Sequence, residues 1–290
     1  MAEAPAALTV DAPGPLALLQ DLGRPGLAHL GVSPSGAADR GALRLANRLV
    51  GNDEGATAVE CTLGGLAVTA HRLIWVAVTG APTQVEVNGT ATSSHTTIAL
   101  RPDDRLTVAP PARGLRSYLA VRGGIEVPHV LGSASRDVLS GLGPEPLRAG
   151  QPLVVGRHCG DLPDTDAAPV RWPQGSLAVT RGPRADWFDD SAWRSLLGEP
   201  YTVGSDCDRV AVRLEGPHLA RRRNEEVPSE GLVRGAVQVP ASGQPLVFLS
   251  DHPVTGGYPV IAVLTARACD QAAQLRPGDV VRLTSRSRAG

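Results

Sequence analysis

Apolar runs in this chain are short, and Gly, Pro or Asp cuts them again and again; Leu73–Thr79, Ser117–Val121 and Arg209–Leu214 are typical. With 33 glycines and 25 prolines supplying the breaks, the pattern matches many short strands joined by turns. Alternating βαβ units would need longer helical stretches between the strands. The fold expected is therefore mainly β with a few short helices, built as barrels or sandwiches. Two segments depart from this. Ser35 is placed to cap a helix from about Ala37 to Val50, where Leu43, Ala46, Leu49 and Val50 repeat at helical spacing and Gly51 offers a left-handed stop. Asp189 or Asp190 is placed to cap a second over Ser191–Leu197, ended by Gly198.

A short motif recurs at Leu100–Val108, Leu147–Val155 and Leu275–Leu283, each a tight turn feeding a strand. It fits duplicated β-barrel lobes, and it equally fits a turn common to any β protein. The stretch between Gly156 and Gly175 is polar, rich in proline and without period, the composition of a linker. At 290 residues two lobes are expected, 1–165 and 170–290.

Bulk chemistry removes several function classes. A formal charge of −1 gives no footprint for nucleic acid or an anionic membrane. All 28 Lys and Arg positions are arginine, which excludes a Schiff-base lysine, a Walker A lysine and a biotinyl lysine. ATP or biotin can thus enter the chemistry only through partner subunits. Cys61, Cys159, Cys207 and Cys269 are scattered with no CxxC or zinc spacing, so no metal site is expected. Neither a basic, then apolar leader nor a run long enough to cross a bilayer is present, which leads to the expectation of a soluble, cytoplasmic protein.

Chemistry-bearing residues crowd into four places. The first and richest is Asp251–Pro259, a loop between apolar runs holding Asp251, His252, Thr255, Gly256, Gly257 and Tyr258. Asp251 is placed to act as a base, Thr255 and Tyr258 to bond a carbonyl or carboxylate, and the two glycine amides to hold an oxyanion. Asp251 and His252 are not expected to be direct partners, because neighbours on a strand point opposite ways. Second is Leu19–Arg40, where Asp21 and Arg24 precede any helix and are candidates for substrate binding. Third is Arg122–Pro128 with Leu131–Asp137: a Gly-Gly pair beside Arg122 or Arg136 suits a carboxylate, and the same residues suit a plain turn followed by a solvated Ser-rich loop. Fourth is Pro228–Gly231, where Glu230 sits in a rigid turn as a candidate general base, followed by Gln238 in an apolar strand, which needs a partner if buried.

Leu19–Gly26, Pro34–Ala37, Leu43–Asn52, Val121–Ile125, Arg213–Pro217, Pro228–Gly231 and Thr255–Pro259 together resemble the family of the 5-oxoprolinase C subunit. That family also takes in the antagonist of a sporulation-kinase inhibitor and part of the carboxyltransferase region of urea carboxylase. The resemblance implies a cyclophilin-like β-barrel architecture and work with homologues of the B and A subunits of 5-oxoprolinase in the ATP-dependent opening of 5-oxoproline to glutamate. Carboxyl transfer to a small amide or urea-like substrate, with biotin supplied by another chain, and non-catalytic regulation of a kinase-inhibitor partner are the other activities it implies. Asp251 and Glu230 are then the expected catalytic residues. Asp21, Arg24, Arg122, Gln238, Thr255, Gly256, Gly257 and Tyr258 are the expected substrate contacts. One departure stands out: many relatives carry a basic residue where this chain has Val260.

Overall fold

The computed structural model describes residues 6–157, 161–169, 175–223, 225 and 227–285. Cys159 and part of the 156–175 linker stretch lie outside the described residues. The chain folds as two compact units. The first comprises Met1–Arg24, Ser35–Asp137 and Gly141–Trp172; the second comprises Pro25–Pro34, Val138–Ser140 and Pro173–Gly290. Two segments of the N-terminal half therefore belong to the second unit.

The first unit contains two antiparallel sheets. Six strands run in the order Pro152–Leu153, Leu8–Pro13, Leu66–Ala70, Arg105–Val108, Val85–Val87, Thr90–Thr92; five run Leu16–Gln20, Ala58–Thr62, Arg116–Val121, Ile74–Gly80, Thr97–Leu100. Strand Arg116–Val121 is buried along its whole length, and side-chain alternation shows why. Leu119 and Val121 enter the core shared with Leu8, Val68 and Leu106, while Tyr118 and Ala120 pack with Leu43, Ala46 and Leu49 of helix α1 (Arg40–Leu49). Each face of the strand thus meets a different apolar layer.

Helix α1 begins later than its apolar spacing suggests. Asp39, not Ser35, is its cap, accepting a hydrogen bond from the Ala42 amide at 2.9 Å. Ser35 has φ +50°, and the residues after it are held by other partners: Ala38 N–H donates to Glu60 Oε2 at 2.9 Å and Asp39 N–H to Tyr118 Oη at 2.7 Å. Gly36 is likewise at positive φ, +91°, so the chain here is not helical, and tertiary acceptors satisfy the amides just ahead of the helix start.

The second unit is a closed seven-stranded barrel in the order Ser176–Arg181, Val260–Leu264, Ala236–Gln238, Leu246–Phe248, Ala211–Glu215, Pro200–Cys207, Val280–Ser285. Only the closing pair, Ser176–Arg181 with Val280–Ser285, is parallel among these pairings. Val212, Leu214, Val237, Val247 and Ile261 form its core. Helix α2 (Asp190–Gly198) is capped by Asp189, which accepts from Ala192 N–H at 2.8 Å. A third helix, α3 (Ala266–Ala272), is capped by Thr265 and was not legible from spacing, because Ala268, Cys269 and Ala272 supply its buried face with small side chains only. No described helix is long and apolar enough to cross a membrane.

The recurring motif adopts one geometry three times. Asp103, Gly150 and Gly278 take positive φ at the third turn position. The amides of Arg101, Arg148 and Arg276 donate to the side chains of Asp104, Gln151 and Asp279. In each case the residue with positive φ also donates its amide to a neighbouring carbonyl, of Ala70, Val10 and Val203 respectively.

Candidate functional site

The richest loop of the sequence divides into a buried start and an exposed end. Asp251 is wholly buried, and Arg209, only 2% exposed, grips it as a fork: Nε to Oδ2 at 2.9 Å and Nη2 to Oδ1 at 3.1 Å. Asp251 Oδ2 also accepts from the Val138 amide at 2.9 Å. That bond ties the excursion Val138–Ser140 into the second unit. The adjacent His252 turns away, its Nδ1 lying 2.8 Å from the Pro253 carbonyl and its ring tilted against Phe248. Asp251 is thereby the anchor at the base of the loop.

Past this anchor the chain forms a two-stranded ribbon. Thr255–Gly256 pairs antiparallel with Glu230–Gly231, placing Glu230 opposite Gly256 and Gly231 opposite Thr255. Two clusters well separated in sequence thus meet in one place. The Glu230 side chain is 31% exposed and bound in bidentate fashion by Arg184, 38% exposed, through Nε to Oε2 at 3.0 Å and Nη2 to Oε1. Arg184 holds the Glu230 carboxyl below the usual range, first through its hydrogen bonds and then through its charge. Glu230 is accordingly a carboxylate at neutral pH, partly open to solvent, with a guanidinium beside it.

Gln238 is buried and donates from Nε2 to the Tyr258 carbonyl at 2.8 Å, so its polar end serves to fix the ribbon. A Cβ on Gly256 would come within 2.7 Å of Gln238 Nε2 and 2.8 Å of Leu232 Cδ1, so the ends of those two side chains would have to shift. Gly257 carries no such constraint; the nearest atom to its would-be Cβ is the Val227 carbonyl oxygen at 3.6 Å. Thr255 is exposed and Tyr258 is 49% exposed. The Arg221 guanidinium lies 5.8 Å from the Tyr258 ring centre and donates to the Val239 carbonyl. Arg184, Arg221, Glu230, Thr255 and Tyr258 therefore supply two cations, a carboxylate and two hydroxyls at one rim of the barrel unit. Such a set can bind a small anion and accept a proton.

In the first unit Asp21 forms a separate hub. Its Oδ1 accepts from Gly23 N–H, Ser133 Oγ and Ser135 Oγ at 2.7, 2.6 and 2.5 Å, and its Oδ2 accepts from Ala134 N–H at 2.7 Å. Of the two alternatives for this segment, the solvated Ser-rich loop fails, since Ser133–Ser135 is buried by these bonds. Arg24 is buried and donates to the carbonyls of Val130 and Ser135. Arg122 donates to the Val50 carbonyl at 3.1 Å, and the amides of Gly123 and Gly124 are engaged by Asn52 Oδ1 and the Val121 carbonyl. The Gly-Gly pair therefore closes a turn instead of cradling an anion. Arg136 is held by Glu145 and by the Gly141 and Gly143 carbonyls.

Neither Arg184 nor Arg209 stands out as a candidate in the sequence. Arg184 follows Gly-Pro in an ordinary turn and Arg209 follows Asp-Cys-Asp, the profile of a surface loop; neither carries a local signal. Among the described residues no group of His, Cys, Asp or Glu is arranged to hold a metal ion.

The chain is 38% identical to the 5-oxoprolinase C subunit of Escherichia coli over 270 residues, covering 91% of this chain and 86% of that one. It is 31% identical to the 5-oxoprolinase C subunit of Haemophilus influenzae, covering 92% and 87%. Its fold matches the crystal structure of the Kluyveromyces lactis urea amidolyase with a TM-score of 0.90 at 29% identity, covering 99% of this chain and 19% of that enzyme. The family model of the carboxyltransferase domain, subdomain A and B, matches residues 30–285, and the chain belongs to that family.

Proposed function

We propose that this chain is one component of an ATP-dependent 5-oxoprolinase, working with homologues of that enzyme's A and B subunits to open 5-oxoproline to glutamate. Its similarity to two 5-oxoprolinase C subunits over nine-tenths of its length supports this reading. The observation that carries it is the ribbon joining Glu230 to Thr255–Gly256 beside Arg184 and Tyr258. 5-Oxoproline bears a carboxylate and a ring amide. Arg221 or Arg184 suits the carboxylate, and Tyr258 and Thr255 suit the amide oxygen. Glu230 suits the proton transfer: water adds to the ring carbonyl carbon as Glu230 takes one of its protons, and Glu230 returns that proton to the ring nitrogen as the carbon–nitrogen bond breaks. Asp251, buried under the loop, acts as a positioning residue. ATP chemistry is assigned to the partner subunits, since this chain has no lysine for a phosphate loop.

The test is co-expression with homologues of the A and B subunits and an assay for ATP-dependent glutamate release. Turnover that falls about 100-fold in Glu230→Gln, the scale of a lost general base, supports the reading; a stable complex without turnover overturns it. The family match and the urea amidolyase relative support a second reading, carboxyl transfer to a small amide or urea-like substrate. No lysine here can carry biotin, so that reading requires a carrier domain on another chain, and transfer of labelled carboxylate from such a carrier is its test.

A further inference from the structure

The two guanidiniums at the ribbon are not equivalent. Arg184 is committed to Glu230, which it grips through both carboxylate oxygens. Arg221 has no such partner: among the described residues it makes no ion pair, and its Nη2 donates to the neutral Val239 carbonyl at 2.6 Å. Its Nε is buried with no hydrogen-bond partner among them. A carbonyl orients a guanidinium without cancelling its charge, so Arg221 holds an uncompensated cation in a half-buried place. Burial lowers its pKa from the ordinary arginine value, and the Tyr258 hydroxyl is the only group acting in the other direction.

The backbone fixes where that charge stands. A short helical turn, Ala185–Trp187, links the two arginines. Arg184 precedes the turn and donates its amide to the Val260 carbonyl at 3.1 Å; Phe188 follows the turn and forms an antiparallel bridge with Arg221. The Pro259 carbonyl accepts from Val239 N–H at 3.1 Å, and the Val239 carbonyl in turn accepts from the Arg221 side chain. Tyr258 has its carbonyl held by Gln238 and its ring centre 5.8 Å from the Arg221 guanidinium. The stretch Tyr258–Val260 thus has Arg221 beside its first residue and the Arg184 backbone beside its last.

Charge decides which arginine is open to an anion. A substrate carboxylate on Arg184 would compete with Glu230 for one guanidinium and set two like charges side by side. On Arg221 the same carboxylate leaves the Arg184–Glu230 pair intact, keeps Glu230 ionised as a base, and gives a partly desolvated cation a charged partner.

We propose that Arg221 is the specificity-determining residue of this site and receives the carboxylate of the substrate beside the Tyr258 ring. Resting on the reading of the ribbon as the 5-oxoproline site, this assignment narrows the substrate class to a small lactam or amide that bears a carboxylate. An uncharged amide or urea would leave Arg221 unmatched.

The test is steady-state kinetics of the complex assembled with homologues of the A and B subunits. 5-Oxoproline is the substrate, and 2-pyrrolidinone, the same ring without its carboxylate, is the competitive inhibitor. Arg221→Gln should raise KM for 5-oxoproline about 100-fold, the scale of hydrogen bonds to a charged group, with a smaller change in kcat. The inhibition constant of 2-pyrrolidinone should stay the same in that variant. Arg221→Lys, which keeps the charge and loses the fork, should recover part of the loss. A KM that is unchanged in Arg221→Gln, or that rises in Arg184→Gln instead, overturns the proposal and leaves the reading of the site standing. Equal weakening of 5-oxoproline and 2-pyrrolidinone in Arg221→Gln does the same, because it marks a purely structural role. A wild-type complex without turnover overturns the reading itself, and the proposal with it.

Discussion

Asp251 with Arg209 and Glu230 with Arg184 are chemically the same pair, a carboxylate in a guanidinium fork, and they sit on adjoining stretches of one unit. Exposure separates them: 0% and 2% in the first pair, 31% and 38% in the second. In the buried pair each charge has lost its water and depends on the other, so breaking the pair strands an ion. The half-exposed pair keeps solvent as an alternative partner, so it contributes little stability and can open to a substrate. Residue type nominated both carboxylates as catalytic candidates, but burial assigns them different work.

The largest expected effect is on the buried pair. Arg209→Met or Asp251→Asn should lower unfolding free energy by about 3–5 kcal/mol in denaturant titration. Hydrogen exchange at the Val138 amide should accelerate in Asp251→Asn. A loss below about 1 kcal/mol in both variants would erase the contrast between the two pairs.

Asp21 offers an intermediate case, a buried carboxylate whose hydroxyl and amide donors are all neutral. Asp21→Asn replaces an acceptor oxygen with an amino group facing hydroxyls and amides, and should cost about 1–3 kcal/mol. Wild-type stability in that variant would show that Ser133 and Ser135 can turn to other partners.

For the exposed pair, Glu230→Gln should change stability by less than about 1 kcal/mol while removing most turnover of the assembled complex. The pH dependence sharpens the point. Because Arg184 depresses the folded-state pKa of Glu230, the pair's stabilisation is present above the ordinary glutamate pKa and fades as pH falls through the depressed value. Arg184→Met should therefore move the acid limb of the activity profile to higher pH. An unmoved limb would mean that some other group sets it.

The smallest effect concerns thiols, where the same burial argument applies. Burial pushes the Cys61 thiol up to about 11, whereas Cys207 is only partly buried. Peptide mapping after brief alkylation at about pH 8, below the ordinary thiol pKa, should find Cys207 modified and Cys61 intact. Above the unfolded thiol pKa the unfolded state ionises first, so Cys61 also removes stability as pH rises toward about 11. Equal labelling of the two would break the contrast.

Much of the fold was legible because it is local. Short β-branched runs, a cap at Asp189 or Asp190 and the three similar turns depend on residues a few positions apart. Helix α1 was legible in its apolar spacing and misplaced at its start, since the Tyr118 and Glu60 acceptors that shape the entry come from distant strands. The candidate site was half legible for the same reason. Glu230, Thr255 and Tyr258 stand out as chemistry among apolar neighbours, whereas Arg184 and Arg209 matter only through partners 46 and 42 residues away. The same limit hid Ser133 and Ser135, whose acceptor Asp21 lies 112 and 114 residues upstream.

The bond from the Val138 amide to Asp251 also bears on how this protein can be taken apart. A fragment beginning at Gly175 would contain every barrel strand yet lack Pro25–Pro34 and Val138–Ser140, which belong to the same unit. Its Asp251 would lose a donor that only the other half of the chain can supply. Chimeras that join the front of one relative to the back of another therefore inherit a mismatch unless those two short stretches travel with the barrel.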